Sequence, residues 1–341
     1  MTDNRAIPDR PLYQRWPELV GHIPFIELGE LPTPVDHSAA LGEKLSIGTL
    51  MIKRDDVSAI DYGGNKIRKL EFLLADALAQ NKTHVVTFGG LASNHAIATS
   101  LNCKKLGLSC GAVLTPEPET PAVATALERH QQLGTHIERS GYTDIRACAD
   151  ELIAKFGKDR TYEVPFGGSS SIGALGFVNA ALELADQIAA GELEEPELIY
   201  LACGTTGTVA GLALGLKLAG LACNIEALLV TPESLKPGKL SARLIDGAIE
   251  LLSPVASGLP TTAAAMQALN LRNDQLGGGY AEPTEAGTTA AKLWQQATGQ
   301  PVSLTYTAKA VAGLVADARA GKLGDKKVLF WNTYNSRPWT V

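Results

Sequence analysis

The sequence predicts an α/β protein in which two mostly parallel sheets are flanked by helices. Two stretches of the chain each contain an apolar strand, a turn of small residues, a helix and a second apolar strand. A helical connection of this kind joins strands that lie parallel in one sheet. The two units run through residues 84–88, 94–106 and 110–114, and through residues 198–203, 209–218 and 225–230.

The remaining predicted elements surround these two units. A short strand is expected at residues 49–53, and apolar residues recur at helical spacing from Asn65 onward. Helices are expected at residues 121–133 and 143–155. The glycine- and serine-rich residues 166–176 are expected to form a loop, which is a candidate for a domain boundary.

Composition excludes several classes of protein. The 341 residues are 45% apolar and 19% charged, which suits one large or two medium domains. The net charge is -6 and no dense block of lysine and arginine is present, so we expect no nucleic-acid partner. The longest apolar helical stretch, residues 209–223, is interrupted by Lys217, so we expect neither a membrane span nor export. Five cysteines without a CxxC pair indicate a reducing compartment, the cytoplasm, and the scattered histidines indicate no metal site.

The first candidate site is the segment Gly-Gly-Asn-Lys-Ile-Arg-Lys that begins at Gly63. Lys66 and Lys69 stand three residues apart in the first turn of a predicted helix, so their amines share one face. The two glycines allow the backbone to approach a ligand, and Arg68 is expected to help lower a lysine pKa toward that of a reactive amine. A solvated helix start is the alternative interpretation.

The second candidate is the turn of residues 204–208, where a strand leads into a helix. Small residues and the free N–H groups of a helix N-terminus favour a single phosphate monoester. The spacing is not that of a dinucleotide site, and a Walker lysine is missing, although a purely structural turn stays open. The residues of this turn are Gly204, Thr205, Thr206, Gly207 and Thr208.

Two further places add polar groups. Ser93, Asn94 and His95 follow a strand at a helix start, where backbone donors suit a carboxylate, although Ser93 is equally a helix N-cap. A serine hydrolase is disfavoured because the flanking residues do not form GxSxG. Late in the chain, Tyr280 and Tyr306 stand beside glycine and threonine clusters, from which they could reach a pocket.

Two neighbouring amines, a turn suited to a phosphate and a turn suited to a carboxylate are together the features expected of a protein that binds pyridoxal 5'-phosphate (PLP) and an amino acid. The motifs resemble those of the D-cysteine desulfhydrase and 1-aminocyclopropane-1-carboxylate deaminase family over about residues 23–332. The resemblance is carried by Gly63-Gly64-Asn65-Lys66 with Arg68-Lys69-Leu70-Glu71, by Ser93-Asn94-His95, by Tyr280, and by the segment from Tyr306 to Leu314.

The resemblance implies PLP fold type II, the fold of the tryptophan synthase β superfamily. A large PLP-binding domain would comprise residues 1–68 and 179–341, and a small domain of residues 69–178 would close over the cofactor. A homodimer acting on a small amino-acid substrate is also implied.

Residue roles are carried over from the same resemblance. Lys66 resembles the Schiff-base lysine, Lys69 a phosphate contact, and Asn94 the partner of the ring hydroxyl. Ser93 resembles an acid or base on the substrate side, and Ser93, Asn94 and His95 together resemble the substrate-binding turn. Residues 204–208 resemble the phosphate loop, and Tyr280 and Tyr306 the catalytic tyrosines that face the substrate.

Within the family, the residue after Tyr306 separates the branches. Deaminases carry glutamate there, whereas this chain has Thr307, which favours β-elimination from a D-amino acid, most of all D-cysteine, to pyruvate, ammonia and sulfide. Ring-opening deamination, β-replacement, racemisation and a non-catalytic PLP binder are the alternatives.

The candidates for the contact to the ring nitrogen, Thr307 and Thr333, are both threonines, so we expect that nitrogen to be unprotonated. Two departures from the family pattern, Ile97-Ala98 and the bulky Tyr334, bear on the shape of the pocket.

Overall fold

The computed structural model describes residues 6–340, whose strands form two sheets. The ten strands are β1 (Val35–His37), β2 (Thr49–Lys53), β3 (His84–Gly90), β4 (Ser109–Thr115), β5 (His136–Arg139), β6 (Thr161–Val164), β7 (Leu198–Cys203), β8 (Asn224–Leu229), β9 (Leu269–Arg272) and β10 (Lys327–Trp331). The larger sheet has the order β1-β2-β10-β7-β8-β9 and is parallel except for β1. The smaller sheet has the order β5-β4-β3-β6 and is parallel throughout.

Helices cover the sheets. The twelve α-helices within the described residues are α1 (Pro11–Arg15), α2 (Ala39–Leu45), α3 (Lys66–Ala79), α4 (Asn94–Lys105), α5 (Pro121–Leu133), α6 (Ile145–Phe156), α7 (Ser171–Ala189), α8 (Gly207–Leu218), α9 (Pro237–Leu252), α10 (Thr262–Met266), α11 (Glu285–Thr298) and α12 (Thr307–Arg319). Short 3-10 turns occur at Pro17–Leu19, Asp55–Val57, Lys158–Arg160, Phe166–Gly168 and Glu233–Leu235. The predicted α/β class with mostly parallel sheets is confirmed.

The expected loop at residues 166–176 is wrong in its second half, because α7 begins at Ser171. The Ser170 side chain caps this helix by accepting a hydrogen bond from the Gly173 N–H. A Cβ on Gly173 would lie 2.2 Å from the Gly168 carbonyl oxygen, and a Cβ on Gly176 would lie 2.1 Å from that of Arg68. These glycines therefore allow close packing within a helix rather than a turn.

Helix α7, and not residues 209–223, is the longest apolar helix of the described chain. By length and composition it could cross a membrane, yet 72% of its 18-residue apolar segment is buried inside the protein. It packs against α8, where a Cβ on Gly211 would lie 2.2 Å from the Ala174 carbonyl oxygen. Its apolar character is therefore that of a core helix.

Helix α3 joins the two halves of the molecule. Its Phe72 belongs to the core of the larger sheet, whereas Leu70, Leu73 and Leu74 belong to the core of the smaller sheet. The predicted domain boundaries after residues 68 and 178 fall inside α3 and α7, and the division there stays a prediction.

A buried ion network anchors the first turn of α3. Arg68 donates to Asp55 at 2.7 Å and to Glu183 of α7 at 2.8 Å, and Lys53 of β2 donates to Glu183 at 2.7 Å. All four side chains are buried. The expectation that Arg68 lowers the pKa of Lys66 or Lys69 is wrong, because its guanidinium is engaged by two carboxylates. Burial lowers the pKa of Lys66, and burial with the neighbouring Lys66 cation lowers that of Lys69.

Replacing Glu183 by alanine is expected to destabilise the protein strongly. Lys53 would lose its carboxylate partner and Arg68 would lose one of its two, while both cations would stay buried. This costs about 3–5 kcal/mol. Burial opposes ionisation of Glu183, but Arg68 and Lys53 lower its pKa to about 2. The stability that it contributes is therefore fully present above its usual pKa of 4.5 and is lost as the pH falls toward 2.

The free energy of unfolding, measured by chemical denaturation, tests this expectation. Asp186→Ala on the same helix is the matched control, because Asp186 forms an exposed pair with Arg15 and its loss should change stability by less than about 1 kcal/mol. Equal losses in the two variants would show that the buried network does not anchor α3.

Candidate active site

A cavity of about 720 Å³ lies where β3, β7 and β10 end. Ligands of open parallel sheets bind outside the carboxyl ends of their strands, so this is the expected place for a site. All of the site residues predicted from the sequence line it: Lys66, Lys69, Ser93, Asn94, His95, Gly204, Thr205, Thr206, Gly207, Thr208, Tyr280, Tyr306, Thr307 and Thr333.

Lys66 is the first residue of α3 and faces the cavity. Its Nζ donates a hydrogen bond to Asn65 Oδ1 at 2.9 Å. Burial lowers the pKa of Lys66 to about 8. About a tenth of this amine is therefore neutral at pH 7, far more than for an unperturbed lysine, and a nucleophilic lysine requires the neutral form.

Lys69 lies one turn further along α3 and is buried. Its Nζ donates to the Gly167 carbonyl oxygen at 3.1 Å and to Ser169 Oγ at 3.4 Å, neither of which carries charge. Burial and the nearby Lys66 hold the pKa of Lys69 well below its usual value. An anion beside this amine would supply the missing counter-charge.

The turn of residues 204–208 lies opposite Lys69. A Cβ on Gly207 would lie 3.0 Å from Lys69 Nζ and 2.5 Å from Ser169 Oγ, so only glycine leaves this space open. Thr206 has a positive φ of 62°, and its buried Oγ1 has no hydrogen-bond partner within residues 6–340. The first N–H groups of α8 also lack partners within the helix. Neutral donors, a helix N-terminus and a buried amine thus fit a phosphate group.

Ser93, Asn94 and His95 begin α4. Ser93 Oγ accepts from the Ala96 N–H at 3.2 Å, so the N-cap interpretation is correct for this residue. Asn94 Oδ1 accepts from the Tyr62 hydroxyl at 2.5 Å, which leaves the Asn94 amide NH₂ free to face a ligand.

His95 turns away from Ser93. Its Nε2 lies 3.0 Å from Thr87 Oγ1, so it does not activate the serine hydroxyl. Burial, with Lys66 and Lys69, holds the pKa of His95 well below its usual value, so the ring is neutral. The disfavoured serine-hydrolase arrangement is therefore not formed.

Tyr280 and Tyr306 both line the cavity, and their side chains contact each other. Their hydroxyl oxygens are 2.5 Å apart, and their rings meet edge to face. Burial raises the pKa of Tyr306 to about 12 and that of Tyr280 well above its usual value, so both are protonated at neutral pH. Lys309 holds the loop before Tyr280 by donating to the carbonyl oxygens of Leu276 and Gly279.

Thr307 and Thr333 are the candidates for a contact to the ring nitrogen. Thr307 is buried and its Oγ1 accepts from the Ser303 N–H at 2.8 Å. No aspartate or glutamate is among the described residues that line the cavity, and Glu282 and Glu285 are exposed outside it. The cavity thus offers hydroxyls and amines, without a carboxylate at its wall.

Three contributors were missed by sequence reasoning. Asn65 connects Lys66 to the phosphate turn, because its Nδ2 also donates to Thr208 Oγ1 at 3.0 Å. Ser169 accepts from the Gly207 N–H and contacts Thr205 Oγ1 at 2.7 Å. Asn65 belongs to a motif that the sequence analysis singled out, although no role was given to this residue. Ser169 lies in the segment of residues 166–176, which was interpreted only as a loop. Tyr62 gave no signal, since its partner Asn94 is 32 residues away.

Comparison with known proteins gives consistent matches. The family model for pyridoxal-phosphate dependent enzymes matches residues 26–333. The D-cysteine desulfhydrases of Salmonella choleraesuis and Salmonella paratyphi C are each 36% identical over 323 residues, which cover 91% of this chain and 93% of theirs.

Solved structures agree with these matches. A structure described as a homologue of ACC (1-aminocyclopropane-1-carboxylate) deaminase has a TM-score of 0.76 and 31% identity, covering 93% of each chain. The processed threonine deaminase isoform 2 of Solanum lycopersicum has a TM-score of 0.64 at 19% identity, covering 96% of this chain and 85% of that one, and shows likeness of fold alone.

Replacing Gly207 by leucine is expected to lower the affinity for PLP by at least about tenfold, or 1.4 kcal/mol. The new side chain would fill the space between Ser169 and Lys69. Titration followed by absorbance measures the affinity, and circular dichroism checks the fold. Gly238→Leu is the matched control, since Gly238 is also in the first turn of a helix but a Cβ there meets only Leu271, at 3.9 Å. Unchanged affinity in a folded Gly207→Leu variant would make this turn purely structural.

Proposed function

Because the chain belongs to the family of pyridoxal-phosphate dependent enzymes, we propose that it eliminates the β substituent of a small D-amino acid, with D-cysteine as the leading substrate. The family resemblance drawn from the motifs is confirmed, and so is the cofactor. The observation that carries the proposal is one cavity that holds a lysine of lowered pKa, a phosphate turn and a tyrosine pair. The D-cysteine desulfhydrases at 36% identity support the choice of substrate.

Three groups of residues would hold the cofactor. The Lys66 amine is the covalent attachment point, because it is partly neutral and faces the cavity. Lys69 and residues 204–208 would take the phosphate, whose charge relieves the burial of the Lys69 ammonium. The Asn94 NH₂, oriented by Tyr62, is available to the ring hydroxyl. When bound, the cofactor supplies an electron sink that makes the α-proton of an attached amino acid removable.

The substrate would lie between α4 and the tyrosines. The N–H groups of Asn94 and His95 in the first turn of α4 suit the substrate carboxylate. Lys66, whose pKa burial lowers to about 8 in the cofactor-free protein, would be the base that takes the α-proton. Ser93 is a further hydroxyl on this side, and Tyr280 and Tyr306 would contact the leaving sulfur.

The protonation state of the ring nitrogen determines which reactions the cofactor supports. A threonine hydroxyl from Thr307 or Thr333, unlike a carboxylate, does not hold a proton on that nitrogen. The N-terminus of α12, which begins at Thr307, adds partial positive charge and further disfavours protonation. An unprotonated nitrogen favours elimination over racemisation. Ring-opening deamination is the second candidate, supported by the 31% identical homologue.

Assembly and location follow from the same proposal. We propose a homodimer in the cytoplasm, on the family resemblance and the unpaired cysteines. Residues 69–178 are proposed as the small domain that closes over the cofactor, against a large domain of residues 1–68 and 179–341. Light scattering of the purified protein would test the dimer.

Lys66→Ala is expected to abolish borohydride-reducible attachment of PLP, whereas Lys69→Ala should retain attachment with weaker cofactor binding. Peptide mapping after reduction locates the modified residue. Because the lowered pKa of Lys66 is about 8, the rate of attachment to cofactor-free protein should rise with pH and level off above 8. Cofactor found on Lys69, or on neither lysine, would contradict the assigned roles.

D-cysteine is expected to yield sulfide and pyruvate in equal amounts, at least about tenfold faster than L-cysteine. Sulfide and keto acid are assayed in parallel, with Lys66→Ala as the inactive control. A separate incubation with 1-aminocyclopropane-1-carboxylate measures deamination. Keto acid from the cyclopropane substrate, without sulfide from D-cysteine, would replace the proposal by deamination.

A further inference from the structure

Lys309 is a buried cation in the first turn of α12 whose hydrogen bonds go to backbone atoms. Within residues 6–340, its Nζ donates to the carbonyl oxygens of Leu276 at 2.7 Å and Gly279 at 2.9 Å. Burial lowers the pKa of Lys309, and the acid Glu282 partly offsets this from a distance. A buried ammonium needs hydrogen-bond acceptors in place of water, so the side chain and the two carbonyl groups stabilise each other.

The two carbonyl groups belong to the loop of residues 273–284, which joins β9 to α11. Gly277 and Gly278 of this loop are exposed, and Gly277 has a positive φ of 68°. Within the described chain, the structure records two hydrogen bonds for residues 277–283. One joins Gly279 to Lys309, and the other joins the hydroxyl groups of Tyr280 and Tyr306 at 2.5 Å. The middle of this loop is therefore held by the start of α12.

The helix holds the loop at two kinds of atom. Tyr306 is the N-cap residue of α12 and Lys309 stands three residues later, so both side chains project from the same face. Tyr306 contacts the side chain of Tyr280, and Lys309 contacts the backbone directly before it. Without the Lys309 amine, a glycine-rich backbone with wide conformational freedom would be held at the tyrosine hydroxyl alone.

The tyrosine pair has one hydroxyl proton to give to a ligand. Burial raises the pKa of both tyrosines, so both are protonated, and their mutual hydrogen bond uses one of the two protons. In the proposed elimination the Cβ–S bond breaks, and the sulfur leaves with the electron pair of that bond and with its own proton, as hydrosulfide. A hydrogen bond donated by the remaining tyrosine proton stabilises the charge that develops on sulfur. Since a thiolate is less basic than a tyrosinate, the tyrosine keeps this proton.

We propose that Lys309 is a positioning residue, which fixes the backbone before Tyr280 and so holds the Tyr280–Tyr306 pair where its remaining hydroxyl proton reaches the departing sulfur. The inference rests on the proposed elimination, since it assigns the tyrosines to the leaving group. Lys309 is not among the residues that line the cavity, so it acts through Tyr280 and not on the substrate. Its effect should therefore depend on how much the leaving group needs a hydrogen-bond donor.

Two substrates with different leaving groups test the proposal in the PLP-loaded enzyme. Lys309→Met should lower kcat for D-cysteine by about tenfold, a part of the 10²–10³ that is lost when a transition-state donor is removed. The kcat for β-chloro-D-alanine should be nearly unchanged, because chloride is a very weak base and leaves without a donor. Lys322→Met is the matched control, since Lys322 is an exposed lysine just after α12 that pairs with Asp317. It should keep both values of kcat.

A double-mutant cycle shows whether Lys309 acts through Tyr280. In a Tyr280→Phe background, Lys309→Met should cause little further loss with D-cysteine, because the hydroxyl that it positions is already gone. Gly277→Ala keeps Lys309 but disturbs the same loop, since a Cβ there would lie 2.3 Å from Thr284 Cγ2. This variant should also lower kcat for D-cysteine and spare β-chloro-D-alanine.

A proton resonance reports on the tyrosine pair without turnover. The short Tyr280–Tyr306 bond should give a hydroxyl proton resonance downfield of the amide region, assigned by its loss in Tyr280→Phe. In protein without substrate, this resonance should move or disappear in Lys309→Met and remain in Lys322→Met.

The outcomes are distinct. A loss confined to D-cysteine, absent from the Tyr280→Phe background and accompanied by a changed resonance, would support the proposal. Equal losses with both substrates, a parallel fall in PLP affinity, or an unchanged resonance would overturn it and make Lys309 a structural residue of α12. If the native enzyme does not turn over D-cysteine, the proposed function fails, while the resonance still decides whether Lys309 positions the tyrosine pair.

Discussion

The buried contact of Arg68 with Asp55 and Glu183 is the constraint on which the site depends. Successive helical residues are rotated by about 100°, so Lys66 and Lys69 project within about 60° of each other and away from Arg68. Once Arg68 is fixed in the core by two carboxylates, the rotation of α3 is set and both amines must face the cavity. Lys66, Arg68 and Lys69 are three cations within four residues, and of these only Arg68 has acidic partners within residues 6–340.

Glycines bring the surrounding backbones close enough to complete the site. Gly176 lets α7 approach the carbonyl oxygen of Arg68, and Gly173 lets the same helix approach that of Gly168. The resulting position of Ser169 brings its hydroxyl to the Gly207 N–H and to Thr205. Helices α3, α7 and α8 thus meet around one small polar space, and the close packing that creates it also rules out side chains there.

Electrostatics then select the kind of ligand. The cavity holds two lysines of lowered pKa and a helix N-terminus, and the described residues that line it include no acid. A phosphate at Lys69 relieves an unfavourable buried charge, and the same burial keeps part of the Lys66 amine neutral. The cavity therefore favours an anionic ligand.

The sequence by itself determined the α/β class, most strands and helices, and fourteen of the residues that line the cavity. Strands β2 and β7 and helix α5 have the bounds that their apolar patterns predict, because periodicity is a local property. Glycine-rich segments were ambiguous, since a glycine that permits a turn and one that permits close packing look alike, and residues 171–176 were misassigned for that reason. Only the tertiary structure decided that Arg68 is a core anchor and that Tyr62 orients Asn94. The partners in these contacts are 13 to 115 residues apart, and nothing in a local pattern encodes which distant side chain a polar group will meet.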